Sequence, residues 1–153
     1  MLNKKEAKKI INEIEKTLEC KIDGSIEIAE YKNMKFLFID RKLYGMIVNG
    51  HPFLNVLGLK KYKARKKFVV VDDGAIKYIL NGANIMAAGV TDADEDIKIN
   101  EIVWVKDYRG LPLAIGKALM DGKEMKEAKK GKAVENMHHI GDKIWKMATG
   151  EKT

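Results

Sequence analysis

Residues 71–90 read Val71-Asp72-Asp73-Gly74-Ala75-Ile76-Lys77-Tyr78-Ile79-Leu80-Asn81-Gly82-Ala83-Asn84-Ile85-Met86-Ala87-Ala88-Gly89-Val90. The stretch follows Phe68-Val69-Val70, and the β-branched run that ends at Val71 predicts a strand. Asp72 or Asp73 then caps a helix from about Gly74 to Leu80. Asn81-Gly82 ends it, since glycine readily takes the left-handed conformation just past a helix. Ala83 to Ala87 is apolar and extended, and Gly89 interrupts it.

Downstream, an acidic turn spans Thr91 to Asp96. Strands at Ile99–Val105 and Leu111–Met120 are joined through Tyr108-Arg109-Gly110. A short helix near Glu124–Lys129 and two strands, Lys132–His139 and Lys143–Met147, follow. Several short strands with one helix between the first two predict a small barrel of mixed pairing.

Upstream, Asn3 with Glu6 forms a capping-box-like start, and Ala7, Ile10, Ile11, Ile14 and Leu18 recur at helical spacing. Strands are expected between Cys20 and Gly50, with Asp40-Arg41-Lys42 turning a hairpin between Met34–Ile39 and Leu43–Val48. Asn49-Gly50-His51-Pro52 reads as a break. Phe53, Leu54, Val56 and Leu57 suit a short helix packed back on the sheet. The expected fold is α+β: an N-terminal helix plus small antiparallel sheet over 1–66, then the mixed β-barrel with short helices over 67–150.

Charge is uneven along the chain. Residues 1–67 hold 16 Lys/Arg against 8 Asp/Glu, whereas residues 68–153 hold 13 against 14. A cationic front half suits a polyanionic partner, and it equally suits a lysine-rich surface kept for solubility or heat stability. Lys60, Lys61, Lys63, Arg65, Lys66 and Lys67 crowd the expected junction, with Tyr62 among them. That segment reads as a phosphate-binding patch, a solvated linker or a basic targeting signal.

Other chemistry is absent from the sequence patterns. Cys20 is alone, so no internal disulfide or cysteine metal cage forms, and a reducing cytoplasm is the expected location. No apolar run reaches the ~18 residues of a membrane span, so no membrane partner is expected. Adjacent His138 and His139 on a strand point to opposite faces and cannot chelate one ion. Asp92, Asp94 and Asp96 alternate without the glycine and closing glutamate of a calcium loop. No phosphate loop, nucleophile elbow or Cys–His pair is present. The expectation is a protein with no cofactor, no metal and no catalytic residue, and not an enzyme.

The 71–90 stretch resembles the opening of a PUA domain: strand, Gly-Ala helix start, then Gly-Ala-Asn-Ile-Met leading to a glycine. Gly131-Lys132-Ala133-Val134-Glu135-Asn136-Met137-His138-His139 resembles the late strand of that domain, and Asp142-Lys143-Ile144-Trp145 its closing strand. With a helix-and-sheet unit before it, the layout is similar to the MCT family, named for the malignant T-cell amplified sequence protein, which includes archaeal homologues and the related ligatin.

The resemblance implies a PUA-type barrel and an RNA-binding protein of the translation machinery that contacts tRNA or the small ribosomal subunit, in initiation or ribosome recycling. It also implies a density-regulated-protein-like partner. In PUA domains RNA lies against the first helix, the glycine-rich segment and a nearby strand. Carried over by motif, this gives Gly74, Ala75, Lys77, Tyr78, Gly82, Ala83, Asn84, Gly89 and Val90, with Leu113–Lys117 as a further strand.

Glycine allows close backbone approach, Lys77 suits a phosphate, and Tyr78 or Arg109 suits stacking on an unpaired base. Tyr78 fits the core equally well, because Ile76, Ile79 and Leu80 share its helix. Asp72 and Asp73 repel an anion from the helix start, so phosphate is expected at the later glycines or at the basic junction. Two further readings stay open: an adaptor that docks a protein partner, and an accessory subunit of an RNA-modifying enzyme.

Overall fold

The computed structural model describes residues 3–151. Helix α1 (Lys4–Leu18) starts where Asn3 accepts the Glu6 N–H at 2.8 Å, and it buries Ile14 and Leu18. Strands β1 (Ile26–Tyr31), β2 (Met34–Ile39), β3 (Lys42–Val48) and β4 (His51–Leu54) form an antiparallel meander in sequence order. Helix α2 (Val56–Lys61) packs on β3 so closely that a Cβ on Gly58 would lie 2.0 Å from the Tyr44 carbonyl oxygen.

The second half contains β5 (Phe68–Val71), α3 (Asp73–Ile79), β6 (Ile85–Met86), a 3-10 turn (Ala87–Gly89), β7 (Val90–Ala93), β8 (Ile102–Lys106), β9 (Pro112–Ala118), α4 (Gly122–Glu127), β10 (Lys132–His139) and α5 (Lys143–Thr149). The six strands lie in the order β6-β10-β9-β8-β5-β7 and make a nearly closed barrel of the PUA type. Only β5 with β8 is parallel, through Phe68 opposite Trp104; the other pairs are antiparallel.

Five local expectations are corrected. Asn49-Gly50 is no break: both residues take positive φ, 52° and 81°, and turn the β3–β4 hairpin. Phe53 and Leu54 therefore belong to a strand, and α2 begins only at Val56, after the Asn55 cap. Pro52 is tolerated because β4 is an edge strand.

The acidic turn at Thr91–Asp96 is half strand, since β7 pairs with β5 through Asp92 opposite Val70. Of the Ala83–Ala87 stretch only Ile85–Met86 is strand. The segment Lys143–Met147, read as a closing strand, is a helix. Asp142 accepts the Trp145 N–H at its start, and Gly150 closes it at φ 77°. Helical spacing buries Ile144 and Trp145 and leaves Met147 outside.

Two apolar clusters result. One, centred on Val69, Val71, Ile79, Ile85, Val103 and Leu113, fills the barrel. The other joins Leu37, Ile39, Leu54 and Leu59 to Trp104, Ile115 and Ile144, so residues of both sheets share it. Trp104 is 4% exposed and donates its indole N–H to the Lys66 carbonyl at 2.8 Å. Within the described residues no helix is long and apolar enough to cross a membrane.

Candidate nucleic-acid interface

Helix α3 starts where Asp72 accepts the Ala75 N–H at 3.0 Å. Ile79 sinks into the barrel core at 1% exposure, and this fixes the rotation of the helix. Tyr78, the neighbouring residue, is thereby turned into solvent at 58% exposure, with the Lys77 ammonium 5.1 Å from its ring centre. Of the two readings of Tyr78, core and surface, the structure takes the second.

The chain leaves α3 through Gly82, at φ 92°, and is then fastened to β10. The Asn136 amide donates to the Ile79 and Ala83 carbonyls at 3.1 and 3.0 Å, and its backbone N–H donates to Asn84 Oδ1 at 3.0 Å. The β10–β9 pairing shifts register just after this residue, between Asn136 and His138.

Between α3 and the β6–3-10 segment lies a groove of about 360 Å³. Ile79 and Ile85 form its floor. Ala75 and Gly89 lie side by side in its lining, where a Cβ on Gly89 would come within 3.4 Å of the Ala75 methyl carbon. Tyr78, Met86 and Lys132 stand around its mouth. An apolar slot of this kind, with an exposed ring and an ammonium at its edge, accepts a planar unpaired base and neutralises a flanking phosphate. A phosphate on the apolar floor itself would lose hydration without a partner.

Ala75, Tyr78, Ala83, Asn84 and Gly89 thus line one groove. Gly74 and Lys77 lie exposed on α3 outside it, and Gly82 sits in the turn, 3.5 Å from His139 Nε2 to an added Cβ. Val90 is half-buried against the barrel core. In the Leu113–Lys117 strand, Leu113 to Gly116 are buried, and Lys117 is partly exposed, facing Glu135 at 3.9 Å. Lys132 and Met86 were invisible to sequence reasoning, because their juxtaposition depends on the β6–β10 register.

The side chains of the basic segment are spread over more than one face. Lys60 lines a cleft beside the β8–β9 hairpin, Lys61 and Arg65 line another with Glu15 and Glu19, and Lys63 stands between the two and lines both. Lys66 is hydrogen-bonded to Asp96, which holds the Lys66 pKa above its ordinary value and the Asp96 pKa below. Lys67 meets Glu101 at 2.8 Å.

Arg109 holds Asp107 at 3.0 Å and Asp73 at 3.5 Å. Burial pushes the Asp107 carboxyl up, but the backbone N–H groups of Leu111 and Arg109 and the Arg109 guanidinium outweigh it and hold the acid low. His138 and His139 share no ligand set, and no group of three His, Cys, Asp or Glu among the described residues is placed to hold a metal.

Comparison with known proteins adds the family context. Residues 67–140 match the PUA domain, and residues 1–57 match a domain of unknown function (DUF1947). An uncharacterized protein of Methanocaldococcus jannaschii is 42% identical over 94% of this chain and 93% of its own length. Malignant T-cell-amplified sequence 2 of Mus musculus is 31% identical over 78% of this chain and 68% of its own length.

Translation machinery-associated protein 20 of Schizosaccharomyces pombe is 45% identical over 51% of this chain and 46% of its own length, so the match spans about half of that relative. A tRNA (cytosine(72)-C(5))-methyltransferase of Pyrococcus horikoshii is 29% identical over 88% of this chain but only 36% of that enzyme. The solved structure of a conserved PUA domain protein from Thermoplasma acidophilum superposes with a TM-score of 0.84, at 30% identity over 96% of this chain and 97% of that one.

Proposed function

The chain belongs to the PUA-domain family that includes the malignant T-cell-amplified sequence and translation machinery-associated proteins, and from this premise we propose that its groove receives an unpaired base at the end of a tRNA. It is an RNA-binding protein associated with the translation machinery. The observation that carries the proposal is the groove itself: Ala75, Ala83 and Gly89 in its lining, an apolar floor, and Tyr78 exposed at the mouth.

The choice of tRNA is supported by the methyltransferase likeness, which extends over nearly the whole of this chain and about a third of an enzyme acting on tRNA. Because the likeness leaves most of that enzyme unmatched, the proposed role is binding without catalysis. Action in the cytoplasm, in initiation or recycling, with a density-regulated-protein-like partner, belongs to the same reading. The small ribosomal subunit is the second candidate surface, favoured by the relatives associated with the translation machinery.

Filter binding of the full chain tests this with three probes: tRNA, tRNA lacking its single-stranded 3′ end, and isolated small ribosomal subunits. The expected result is tRNA binding that weakens by about tenfold without the 3′ end, the cost of losing a stacked base. Equal affinity for intact and trimmed tRNA would overturn the tRNA-end reading. Tighter binding to the subunit would favour the second.

A further inference from the structure

A second cleft, of about 450 Å³, lies where α2 meets the β8–β9 hairpin. Lys60 and Lys63 rise from the end of α2 and the loop after it. Lys106 and Arg109 rise from the facing hairpin, and Trp104 and Pro112 lie between them. Lys66, Lys67, Lys117 and Lys126 each meet a carboxylate within 4.0 Å. Among the described residues Lys60, Lys63 and Lys106 meet none.

Aromatic faces hold two of these lysines instead. The Lys106 ammonium is 4.6 Å from the Phe68 ring centre and 5.2 Å from that of Trp104, and the Lys60 ammonium is 5.5 Å from that of Trp145. A ring restrains a lysine without neutralising it. Asp107 and Asp73 offset part of the positive charge through Arg109, and the remaining charges in the cleft are cationic.

We infer that this cleft binds phosphates of the same RNA whose unpaired base enters the groove. The inference rests on the RNA-binding reading and extends it to a second site. Continuity between the sites argues for one ligand. Arg109 touches Asp73, the first residue of α3, and Tyr78 at the groove mouth lies five residues further along that helix. At ~1.5 Å per residue this is ~8 Å of helix. A stacked strand places about two phosphates in that distance, at ~3.4 Å per step. A strand leaving the groove along α3 passes Asp73, whose charge Arg109 offsets at 3.5 Å, and then reaches the three lysines.

The test uses the full chain and a fluorescent tRNA, with affinity measured across a series of salt concentrations. The triple variant Lys60→Gln/Lys63→Gln/Lys106→Gln is compared with Lys4→Gln/Lys5→Gln/Lys8→Gln, which removes equal charge from the exposed face of α1. Loss of three phosphate contacts is expected to make the slope of log K against log salt shallower by about 2, at ~0.7 per contact. The α1 variant is expected to change it by less than half as much.

Thermal unfolding checks that the triple variant folds. Should removal of Lys106 disturb the barrel, the double variant Lys60→Gln/Lys63→Gln at exposed positions is expected to lose about 1.4 of slope. An unchanged slope in the cleft variants, or an equal loss in the α1 variant, overturns the cleft while leaving RNA binding standing. Failure of the unaltered chain to bind tRNA overturns the RNA reading itself.

Discussion

The buried ring of His138, on β10, accepts the backbone N–H of Val56 at 3.1 Å, across 82 residues of sequence. The acceptor is Nε2, so Nδ1 carries the proton and donates it to Asp142, 2.9 Å away. One imidazole thus ties the first turn of α2 to the first turn of α5. Substituting His138→Leu would leave a buried N–H without an acceptor and remove the partner of Asp142. The expected cost is about 2–4 kcal/mol in urea unfolding, the range for a broken buried network. A loss below ~0.5 kcal/mol would show that the tie contributes little.

Asp142 gives the fold an acid-sensitive joint. Burial pushes its carboxyl up, but hydrogen bonds from His138 and from the Trp145 and His139 N–H groups outweigh that and hold its pKa below the ordinary 3.8. A depressed carboxyl stabilises the fold fully above its unfolded value, and the contribution disappears as pH falls through the folded value. Asp142→Asn is therefore expected to lower the urea midpoint at pH 7, with the difference from the parent closing as pH drops below 3.8. A difference that stays constant across that window would reject the linkage.

Gly58 is required by close approach and not by its backbone angles. An added Cβ would meet the Tyr44 carbonyl oxygen at 2.0 Å, and backbone cannot rotate away as a side chain can. Gly58→Ala is expected to push α2 off β3 and to cost ~3 kcal/mol or more. Thermal unfolding is the measurement, and a variant as stable as the parent would contradict the packing described.

Tyr78 separates binding from folding. Its side chain is largely in water, so Tyr78→Ala is expected to change stability by no more than ~0.5 kcal/mol. Loss of a stacking face is expected to weaken tRNA binding about tenfold or more, at ~1–3 kcal/mol per stacked base. The slope of affinity against salt should stay as it was, because no charge is removed. A stability loss without a binding loss would return Tyr78 to the core.

The helix α3 was legible because three local signals agree: an aspartate cap, apolar residues at helical spacing, and a glycine just past the end. Of the residues the motif names, Gly74, Lys77, Gly82 and Val90 lie outside the groove, and Ala75, Tyr78, Ala83, Asn84 and Gly89 line it. Lys132 joins them only through strand pairing between residues far apart in sequence.

At α5 the apolar residues Ile144, Trp145 and Met147 fit either periodicity over so short a run, and the cap at Asp142 with the stop at Gly150 decided the matter. Asn49-Gly50 carried the hairpin signal openly, but the strand after it is four residues long and contains a proline. The basic segment shows what composition leaves open. Whether each lysine faces water or a carboxylate is settled by residues about thirty positions away, such as Asp96 and Glu101.

The apolar cluster shared by the two sheets has a geometric consequence. Trp104, Ile115 and Ile144 share one interior with Leu54 and Leu59, so turning one sheet against the other would expose apolar surface to water. The offset between the slot under Tyr78 and the lysines of α2 is therefore a property of the folded chain. On the proposed reading that spacing acts as a gauge: a nucleic acid whose free end and backbone match it reaches both places at once, and one that does not match reaches only one.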